Sequence, residues 1–465
     1  MRLDLDLTEG QLDLTMPRMP LHPVLLDKLN EAMAPAPAPA FTRRDAALPR
    51  IPGKVHSVIG MRRAGKTTFL RQLQADRRAE VPPERAVYLG FDDDRLAGIG
   101  VDQLDALLEE YYRAHPASRG RETVAWYLDE IQLVPGWDRF ARRVLDTERC
   151  ELVVSGSSAQ MLSREVHTSL RGRGMPTVIA PFSFREFLRH RGEEPGAGPR
   201  RWTPAERSMA EGRLAEYLVV GGFPEAQGLA PALRTELLQG YVDTVLFRDI
   251  VERHGISQVA ALRWLVRHCL RSPAGSFSVH RLHLDLKAQG LAVGRELVHD
   301  LLDHLVDAFL LSTVPVATES ERKRNSNPRK IYPADPGLIR AFDTSGRANT
   351  GRALETAVFN ELQRRHADIA YVKDEQGREV DFLARYLDGR EELLQVCADA
   401  SDAAVLDREL RALDAAGREH PRARRRLIIL QRDPSLDGRA PGVEVLPASD
   451  WLLAEESIDR WRQTE

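Results

Sequence analysis

Residues 60–68 read Gly60-Met61-Arg62-Arg63-Ala64-Gly65-Lys66-Thr67-Thr68, and this segment is the strongest indication of the fold of the domain around it. Its first eight residues fit the phosphate-binding pattern G-x-x-x-x-G-K-[ST] without a mismatch. The apolar run Val55–Ile59 precedes the stretch and a helical pattern, Thr67–Gln74, follows it, as the pattern requires. A chance glycine turn before a helix is the alternative, and the agreement of strand, loop and helix argues against it.

The chemistry of this loop follows from its residue types. Glycines allow the backbone to curl until its N–H groups point at phosphate oxygens, and the start of the helix adds a favourable dipole. Lys66 is expected to bridge the β- and γ-phosphates, and the Thr67 hydroxyl to ligate Mg²⁺. We therefore predict that residues 60–68 bind ATP, with Mg²⁺ as the second cofactor.

Two carboxylates follow a second apolar run, Val124–Leu128. Asp129, at the end of this expected strand, can hold Mg²⁺ through water, and Glu130 can take a proton from an attacking water. The alternative is a helix N-cap with an acidic first turn. Because a phosphate loop lies upstream, we predict that the chain is an ATPase with Glu130 as its general base.

Two polar groups farther along the chain are candidates for the same site. Ser157 and Ser158 follow the run Leu152–Ser155 and could orient the water or sense the γ-phosphate; a serine-rich turn is the alternative. Arg171 and Arg173 suit an arginine finger donated across a subunit interface, and a solvated basic loop is their alternative. A finger that acts between subunits would require a homo-oligomer.

Composition limits the class of protein. The chain has 465 residues, of which 43% are hydrophobic and 29% charged, as in ordinary globular proteins of about two to four domains. No run approaches the roughly 20 apolar residues that span a bilayer, so we expect no membrane contact. Cys150, Cys269 and Cys397 lack metal-ligand spacing, which is typical of a reducing cytoplasm. The net charge of −3 requires any nucleic-acid contact to come from local basic patches.

Apolar runs alternate with helical patterns in the first third of the chain. This alternation predicts an α/β fold in which helices cover both faces of a parallel sheet. The expected strands are Val55–Ile59, Ala86–Leu89, Val124–Leu128, Leu152–Ser155 and Thr177–Ile179.

Several stretches together resemble one branch of the AAA-type ATPases, found in bacteria and archaea, which carries a nuclease-like C-terminal domain of unknown function. The resemblance covers nearly everything after about residue 45 and implies an ATPase core, a helical and winged-helix middle and an end related to PD-(D/E)XK nucleases. It supplies no substrate. The stretches are Gly60–Thr68, Tyr88–Asp94, Tyr127–Gln132, Val134–Trp137, Ser155–Ser158, Ser169–Arg173, Pro181–Phe187, Gly221–Pro224, Arg329–Tyr332 and Glu379–Phe382.

The domain boundaries follow from changes in pattern along the chain. Ala-Pro repeats at residues 34–39 form an extended spacer, and residues 340–351 are a weakly patterned linker. We predict an N-terminal arm with this spacer (1–45), an ATPase core (46–190), a helical lid (191–255), a winged-helix-like domain (256–335) and a small α/β nuclease-like domain (336–465).

The middle of the chain has the pattern of a winged helix. Two helices, Ser278–Gln289 and Gly294–Asp307, precede two expected wing strands, Phe309–Val314 and Lys330–Tyr332. Basic residues near the wing tip could contact DNA phosphates without reading sequence. A solvated hairpin on a domain that packs against the ATPase lid is the alternative. The basic residues are Arg322, Lys323 and Arg324.

The C-terminal part carries an incomplete nuclease motif by resemblance. Glu355 and Asp381 match two metal-binding positions, but the third position reads Gln395-Val-Cys397 where Glu-x-Lys is expected. Glutamine still offers an oxygen, whereas cysteine cannot replace the lysine charge, and Lys373 lies on another expected strand. We therefore predict a catalytically degenerate domain that binds nucleic acid or protein; a domain that only packs is the alternative.

Two main functional hypotheses remain open. The first is an ATP-driven machine that associates with DNA through the winged helix and the nuclease-like domain. The second is a nucleotide-dependent switch or scaffold that acts on a protein partner without nucleic acid. A metal-dependent nuclease is a third. Stimulation of ATP turnover by DNA would distinguish the first from the second.

Overall fold

The computed structural model describes residues 20–35, 40–49, 51–156, 170–291, 293–320, 328–343, 349–436 and 440–454. The candidate residues Ser157 and Ser158, and the basic tip Arg322–Arg324, lie outside the described residues. Within the described ranges, every helix is too short or too polar to span a bilayer.

The first sheet has five parallel strands in the order β2-β3-β4-β1-β5. The carboxyl ends of parallel strands meet at one edge of a sheet, so the residues after β1, β3 and β4 come together there. All five predicted strands are confirmed, with small shifts of their ends. The strands are β1 (Val55–Ile59), β2 (Ala86–Gly90), β3 (Val124–Asp129), β4 (Cys150–Gly156) and β5 (Gly174–Val178).

Helices cover both faces of this sheet. Phe69 and Leu70 of the helix that follows the phosphate loop share a core with Val58, on one face. Three other helices bury their apolar sides against the opposite face. The helices of this region are Pro23–Met33, Lys66–Arg78, Val101–Ala114, Trp137–Thr147 and Phe184–His190.

The helix Pro23–Met33 lies within the predicted N-terminal arm but packs on the sheet. Its Leu25 and Leu29 are almost fully buried in the same core as Val87 and Leu89 of β2. The expectation that the whole arm is separate from the ATPase core is therefore wrong for this helix, because its apolar stripe is part of that core.

The middle of the chain is helical with one small sheet. β6 (Ser276–Phe277), β7 (Leu311–Val314) and β8 (Arg329–Pro333) form an antiparallel sheet in the order β6-β8-β7. The two predicted helices are confirmed here, and a seven-residue π-helical stretch interrupts an earlier helix. The helical segments are Pro204–Val220, Pro231–Thr244, Val245–Val251 (π), Glu252–His254, Val259–Arg271, Val279–Ala288, Arg295–Asp307 and Pro336–Phe342.

The C-terminal sheet has five strands in the order β13-β12-β11-β10-β9. β9, β10 and β11 are antiparallel neighbours, whereas β11, β12 and β13 run parallel. Its strands are β9 (Asp368–Lys373), β10 (Glu379–Arg385), β11 (Glu391–Cys397), β12 (Arg424–Ile429) and β13 (Val443–Pro447). Its helices are Thr350–Arg364, Ala403–Glu419 and Ala448–Leu452.

The structure differs from two of the expected segment limits. The expected linker 340–351 begins inside the helix Pro336–Phe342 and ends inside the helix Thr350–Arg364. The expected lid 191–255 divides between two cores. Its first helix buries Tyr217 with Trp451 of the C-terminal part, and its second buries Leu238 with Leu265 of the middle part.

Candidate functional site

The phosphate loop has the backbone that its glycines predict. Gly60 has a φ of 143°, and a Cβ there would lie 2.2 Å from the carbonyl oxygen of Ile179. Gly65 has a φ of 99°, and the helix begins at the next residue, Lys66. Residues with a Cβ rarely adopt these φ values, so the loop depends on glycine at both positions.

Lys66 lies inside the curl of the loop. Its side chain is buried, and Nζ donates hydrogen bonds to the carbonyl oxygens of Gly60 at 3.0 Å and Met61 at 3.2 Å. Burial lowers the pKa of Lys66, while the nearby carboxylates of Glu130 and Asp129 oppose that effect. The ammonium group is thus hydrogen-bonded within the loop, in electrostatic range of both acidic residues.

Thr67 and Thr68 occupy the first turn of the helix and are exposed, as is Arg63. Ala64 is buried, and its carbonyl oxygen accepts a hydrogen bond from Nη1 of Arg44 at 2.9 Å. Arg44 also pairs with Glu186 at 3.0 Å in the core. Buried contacts through Arg44 therefore hold the loop on its protein side, while Thr67 and Thr68 remain exposed.

Asp129 ends β3 and is almost fully buried. Its carboxylate accepts a hydrogen bond from the Tyr88 hydroxyl on β2 at 2.7 Å, and another from the Ser155 hydroxyl on β4. Burial, followed by the negative charge of Asp129, raises the pKa of Tyr88. Hydroxyl groups from both neighbouring strands thus orient the predicted magnesium-binding carboxylate.

Glu130 adopts a left-handed backbone conformation, with a φ of 54°. Its N–H donates to the Ser155 hydroxyl at 3.0 Å, and the Gln132 side-chain amide donates to its carboxylate. Such a conformation costs about 1–3 kcal/mol for a residue with a side chain and is concentrated at functional sites. Ser155 therefore hydrogen-bonds to both acidic residues and stabilises the backbone conformation of Glu130.

Tyr88, Ser155 and Gln132 were missed as site residues in the sequence. Tyr88 and Ser155 lie on the two strands that flank β3, and each bonds Asp129 across the sheet. The order of the strands in the sheet could have indicated them. Polar side chains near the carboxyl ends of neighbouring parallel strands meet at one edge of the sheet.

The structure does not bring Arg171 and Arg173 to the phosphate loop of their own chain. The carbonyl oxygen of Arg173 accepts a hydrogen bond from the N–H of Val55, at the start of β1. Gly60 follows the far end of β1, which at about 3.3 Å per residue is roughly 17 Å away. Arg171 is exposed, whereas Arg173 pairs with Asp146 at 2.6 Å.

Three residues at the unrestricted (x) positions of the phosphate-binding pattern contact the middle part of the chain. Met61 is buried in the same core as Phe223 and Ile250. Arg62 donates through Nε to both carboxylate oxygens of Asp249, at 2.8 and 3.0 Å. The next paired residue, Arg63, contacts Glu225 at 3.0 Å. The nucleotide loop is therefore part of the interface between the first sheet and the helices that follow it.

A second cluster of charged residues lies in the C-terminal part. Nζ of Lys330, on β8, lies 3.1 Å from Glu355, 3.0 Å from Glu379 and 2.9 Å from Asp381. The Tyr332 hydroxyl donates to Glu355 at 2.7 Å. The cluster thus joins the three-stranded sheet to the C-terminal sheet through one almost fully buried ammonium group.

The three residues that the resemblance assigned to a degenerate nuclease motif come together at this cluster. Asp381 donates its N–H to the side-chain oxygen of Gln395 at 3.2 Å, and shares Lys330 with Glu355. The Gln395 amide also donates to Glu409 at 2.8 Å. No local pattern indicated that Lys330 would be the cation among these carboxylates. Lys373, considered for that role, lies at the edge, 3.6 Å from Glu379.

Burial perturbs the ionisable groups of this cluster. Burial, followed by the negative charge of Asp381, raises the pKa of Glu355 to about 8. Burial alone would lower the pKa of Lys330, but the surrounding carboxylates raise it instead. Lys330 therefore stays charged at neutral pH, whereas Glu355 can hold a proton there.

Comparisons with known protein families and sequences agree with the first sheet and its loop. The AAA domain family matches residues 52–188, and a domain of unknown function, DUF8612, matches residues 211–349. The uncharacterized protein MJ1544 of Methanocaldococcus jannaschii is 31% identical over 92% of this chain and 94% of its own length. An uncharacterized protein of Haemophilus influenzae is 26% identical over 71% of this chain and 79% of its own length.

Two solved structures are also similar in part. The Walker-type ATPase PABY2304 of Pyrococcus abyssi is 14% identical, with a TM-score of 0.40, over 69% of this chain and 95% of that one. The ORC1 protein of Aeropyrum pernix, solved in complex with DNA, is 19% identical with a TM-score of 0.25, over 63% of this chain and 87% of that one. Both TM-scores are low, and we infer nothing about this chain from them.

Proposed function

Because this chain belongs to the family that includes MJ1544 of Methanocaldococcus jannaschii, and its core is that of an AAA-type P-loop ATPase, we propose that it binds and hydrolyses MgATP. One observation carries the proposal. The buried ammonium group of Lys66 lies within a glycine-permitted loop and beside Asp129 and Glu130. In this arrangement Lys66 would bind phosphate oxygens, Asp129 would hold the metal ion, and Glu130 would accept a proton from the attacking water.

The residues present fit a magnesium nucleotide. The loop from Gly60 to Thr68 would surround the phosphates with backbone N–H groups, and Lys66 would exchange its two carbonyl partners for phosphate oxygens. Thr67 and Asp129 would hold Mg²⁺, which when bound neutralises charge on the β- and γ-phosphates. The exposure of Thr67 and the fixed orientation of Asp129 support these roles.

Glu130 would act on the attacking water. Its carboxylate accepts the proton as the water oxygen attacks the γ-phosphorus, the bond from that phosphorus to the bridging oxygen breaks, and ADP and phosphate leave. Gln132 orients the carboxylate, and Ser155 fixes the backbone of Glu130. Ser157 and Ser158, outside the described residues, remain candidates for orienting the water.

Nucleotide binding and turnover of purified variants test this proposal. Lys66→Ala should lose ATP binding, and Glu130→Gln should retain bound ATP but stop turnover. Lys287→Ala, an exposed lysine of the middle part, is the control and should match the natural chain. Equal nucleotide binding by Lys66→Ala would refute the proposed phosphate site, and normal turnover by Glu130→Gln would refute the proposed base.

We further infer that ATP state is coupled to DNA through the middle part. The order helix, β6, helix, helix, β7, β8, with β8 central in its sheet, supports a winged helix at about 256–335. The basic tip Arg322–Arg324 would contact phosphates. With charges reversed at these three residues, DNA retardation in a gel should be lost. Unchanged retardation would exclude the tip as a DNA contact.

A switch that acts on a protein partner is the second candidate. The contacts of Met61, Arg62 and Arg63 with the middle part favour it, because they couple the loop to neighbouring helices without requiring DNA. The ATPase rate with and without single- and double-stranded DNA separates the two. Stimulation supports the DNA-coupled ATPase, and indifference supports the switch; an oligomer is expected in either.

We propose that the C-terminal part, 336–465, is a degenerate relative of PD-(D/E)XK nucleases. Convergence of Glu355, Asp381 and Gln395 supports the relationship, and the ammonium group of Lys330 among the carboxylates argues against cleavage. Incubation of the natural chain with DNA and Mg²⁺ should give no cutting. Cutting that is lost in Asp381→Ala would overturn this assignment.

A further inference from the structure

The pair formed by Arg62 and Asp249 lies at the phosphate loop but has no part in the roles described above. Asp249 is almost fully buried, in the π-helical stretch Val245–Val251, whereas the Arg62 side chain is 36% exposed. A buried carboxylate is costly unless a cation pairs with it. Arg62 is that cation, and it reaches Asp249 from the third position of the loop.

The geometry of the pair leaves most of the guanidinium group available. Arginine has five N–H donors, and Asp249 engages only the one on Nε. Across the described ranges, no hydrogen bond joins Nη1 or Nη2 of Arg62 to another protein group, although the side chain is partly exposed. Asp249 therefore fixes the direction of the guanidinium plane without using its terminal N–H groups.

Arg62 lies two residues after Gly60, on the loop that holds Lys66, and its guanidinium group is within electrostatic range of Glu130. Burial would lower the pKa of Arg62, but Asp249, and after it Glu130, raise it. Arg62 also lowers the pKa of Lys66. The guanidinium group therefore acts electrostatically on both the proposed base and the phosphate-binding lysine.

We propose that the side chain of Arg62 binds the γ-phosphate of ATP, and that Asp249 is the residue that positions it. The inference rests on the proposed ATP site and adds a basis for distinguishing ATP from ADP. A guanidinium group matches two phosphate oxygens at once, and the γ-phosphate is the group that ADP lacks. Binding energy from Arg62 therefore favours ATP.

The π-helical stretch gives this assignment a structural reason. The helix Pro231–Thr244 continues directly into Val245–Val251, so the wider turn lies in the middle of a longer helical segment. π-helical turns are uncommon and frequently lie at functional sites. Here the wider turn carries Asp249 to the loop. Contact between Arg62 and a γ-phosphate is thereby linked to the helical segment 231–254, which carries Asp249.

Arg63 provides a matched comparison on the same loop. It pairs with Glu225, which also belongs to the middle part, but both side chains are more than half exposed. Exposed ion pairs contribute little, about 0–1 kcal/mol. Loss of Arg63 therefore removes an arginine of the loop and its ion pair with Glu225, but not the proposed phosphate contact.

Binding of ATP and ADP to the full chain tests the proposal. Arg62→Ala should weaken ATP binding by about 10- to 100-fold, as expected for a charged hydrogen bond, and ADP binding by less than about 3-fold. Arg62→Lys should also lose most of the preference, because it lacks the planar fork. Arg63→Ala should leave the ratio of the two affinities unchanged.

Asp249→Asn tests the positioning role and removes a buried charge without changing the shape of the side chain. It should lower ATP affinity selectively, and Arg62→Ala/Asp249→Asn should bind ATP no more weakly than Arg62→Ala alone. Equal losses of ATP and ADP affinity in Arg62→Ala and Arg62→Lys, or the same selective loss in Arg63→Ala, would overturn the inference. A natural chain that binds neither nucleotide would instead refute the ATP site itself.

Discussion

The ammonium group of Lys330, on β8, lies among carboxylates of the C-terminal part. Three carboxylates lie within 3.1 Å of it, and almost none of the lysine is exposed. Removing one partner of a buried ion pair costs about 3–5 kcal/mol, because the remaining charge is left without compensation. The stability of this part therefore depends on a residue that belongs to the preceding sheet.

Lys330→Met should lower the free energy of unfolding by about 3–5 kcal/mol, since the Asp381 carboxylate would be left buried without its cation. Chemical denaturation followed by tryptophan fluorescence measures the change. Lys373→Met is the control, because Lys373 pairs with the same Glu379 but is 45% exposed; its effect should stay within about 1 kcal/mol. Equal effects of the two substitutions would contradict this account.

Glu355 should make stability depend on pH. Its pKa is about 8 in the folded chain and ordinarily 4.5, so between these values the folded state holds a proton that the unfolded state has lost. The stabilisation is complete below the ordinary pKa and is lost as pH rises through about 8. Glu355→Gln should remove this part of the dependence.

Thermal unfolding at about pH 5, pH 7 and pH 9 would measure it, with the natural chain and Glu355→Gln compared at each pH. Other groups titrate in both proteins, so the difference between the two reports Glu355. The natural chain should lose more stability across this range than the variant. Parallel curves would show that Glu355 has no raised pKa.

At the scale of elements, the helix Pro23–Met33 should stabilise the first sheet although it precedes the phosphate loop. Leu29→Ala removes a buried side chain from the core shared with Val87, so we expect a loss of about 2–5 kcal/mol. Urea denaturation provides the measurement. Glu31→Ala, on the exposed side of the same helix, should change stability by less than about 0.5 kcal/mol.

The sequence predicted the strands of the first sheet well because their apolar runs are short, buried and bounded by turns. It missed the packing of the helix Pro23–Met33, because the neighbouring Ala-Pro repeats favoured a spacer. It also joined two helices into one lid, since their patterns adjoin in sequence. Their division between two cores depends on partners, such as Trp451, more than two hundred residues away.

The same distinction holds within the site. Gly60, Lys66, Asp129 and Glu130 follow local patterns, and the fold brings their neighbourhoods together as expected. Tyr88, Ser155, Asp249 and Lys330 act through contacts that only strand order and domain packing create. A sequence without known contacts indicates the reacting groups more readily than the groups that orient them.

At the scale of the whole molecule, Arg171 and Arg173 lie near the amino end of β1, whereas the phosphate loop of the same chain follows its carboxyl end. If one of them serves a neighbouring subunit, Arg171→Ala and Glu130→Gln should each be nearly inactive alone, with arginine fingers contributing about 10³-fold or more. Mixing the two proteins should restore turnover, because one site in a mixed oligomer regains both groups.

A mixture of Lys66→Ala with Glu130→Gln is the matched control for this complementation. Both substitutions affect the nucleotide-binding side of the interface, so no mixed oligomer contains an intact site. ATP turnover before and after mixing is the measurement. Activity in Arg171→Ala alone, together with no gain on mixing, would exclude Arg171 as the finger and leave Arg173 to be examined in the same way.

The attachment of Lys330 to the C-terminal carboxylates has a practical consequence for anyone who wishes to express this region by itself. A fragment that begins at residue 336 would omit Lys330, and also the segment around Val316, whose neighbours hydrogen-bond to Tyr371 on β9. It would leave the outer edge of β9 without these hydrogen bonds and the buried carboxylates without their cation. A fragment that begins before Pro315 would carry both, and should be more stable than the fragment that begins at residue 336.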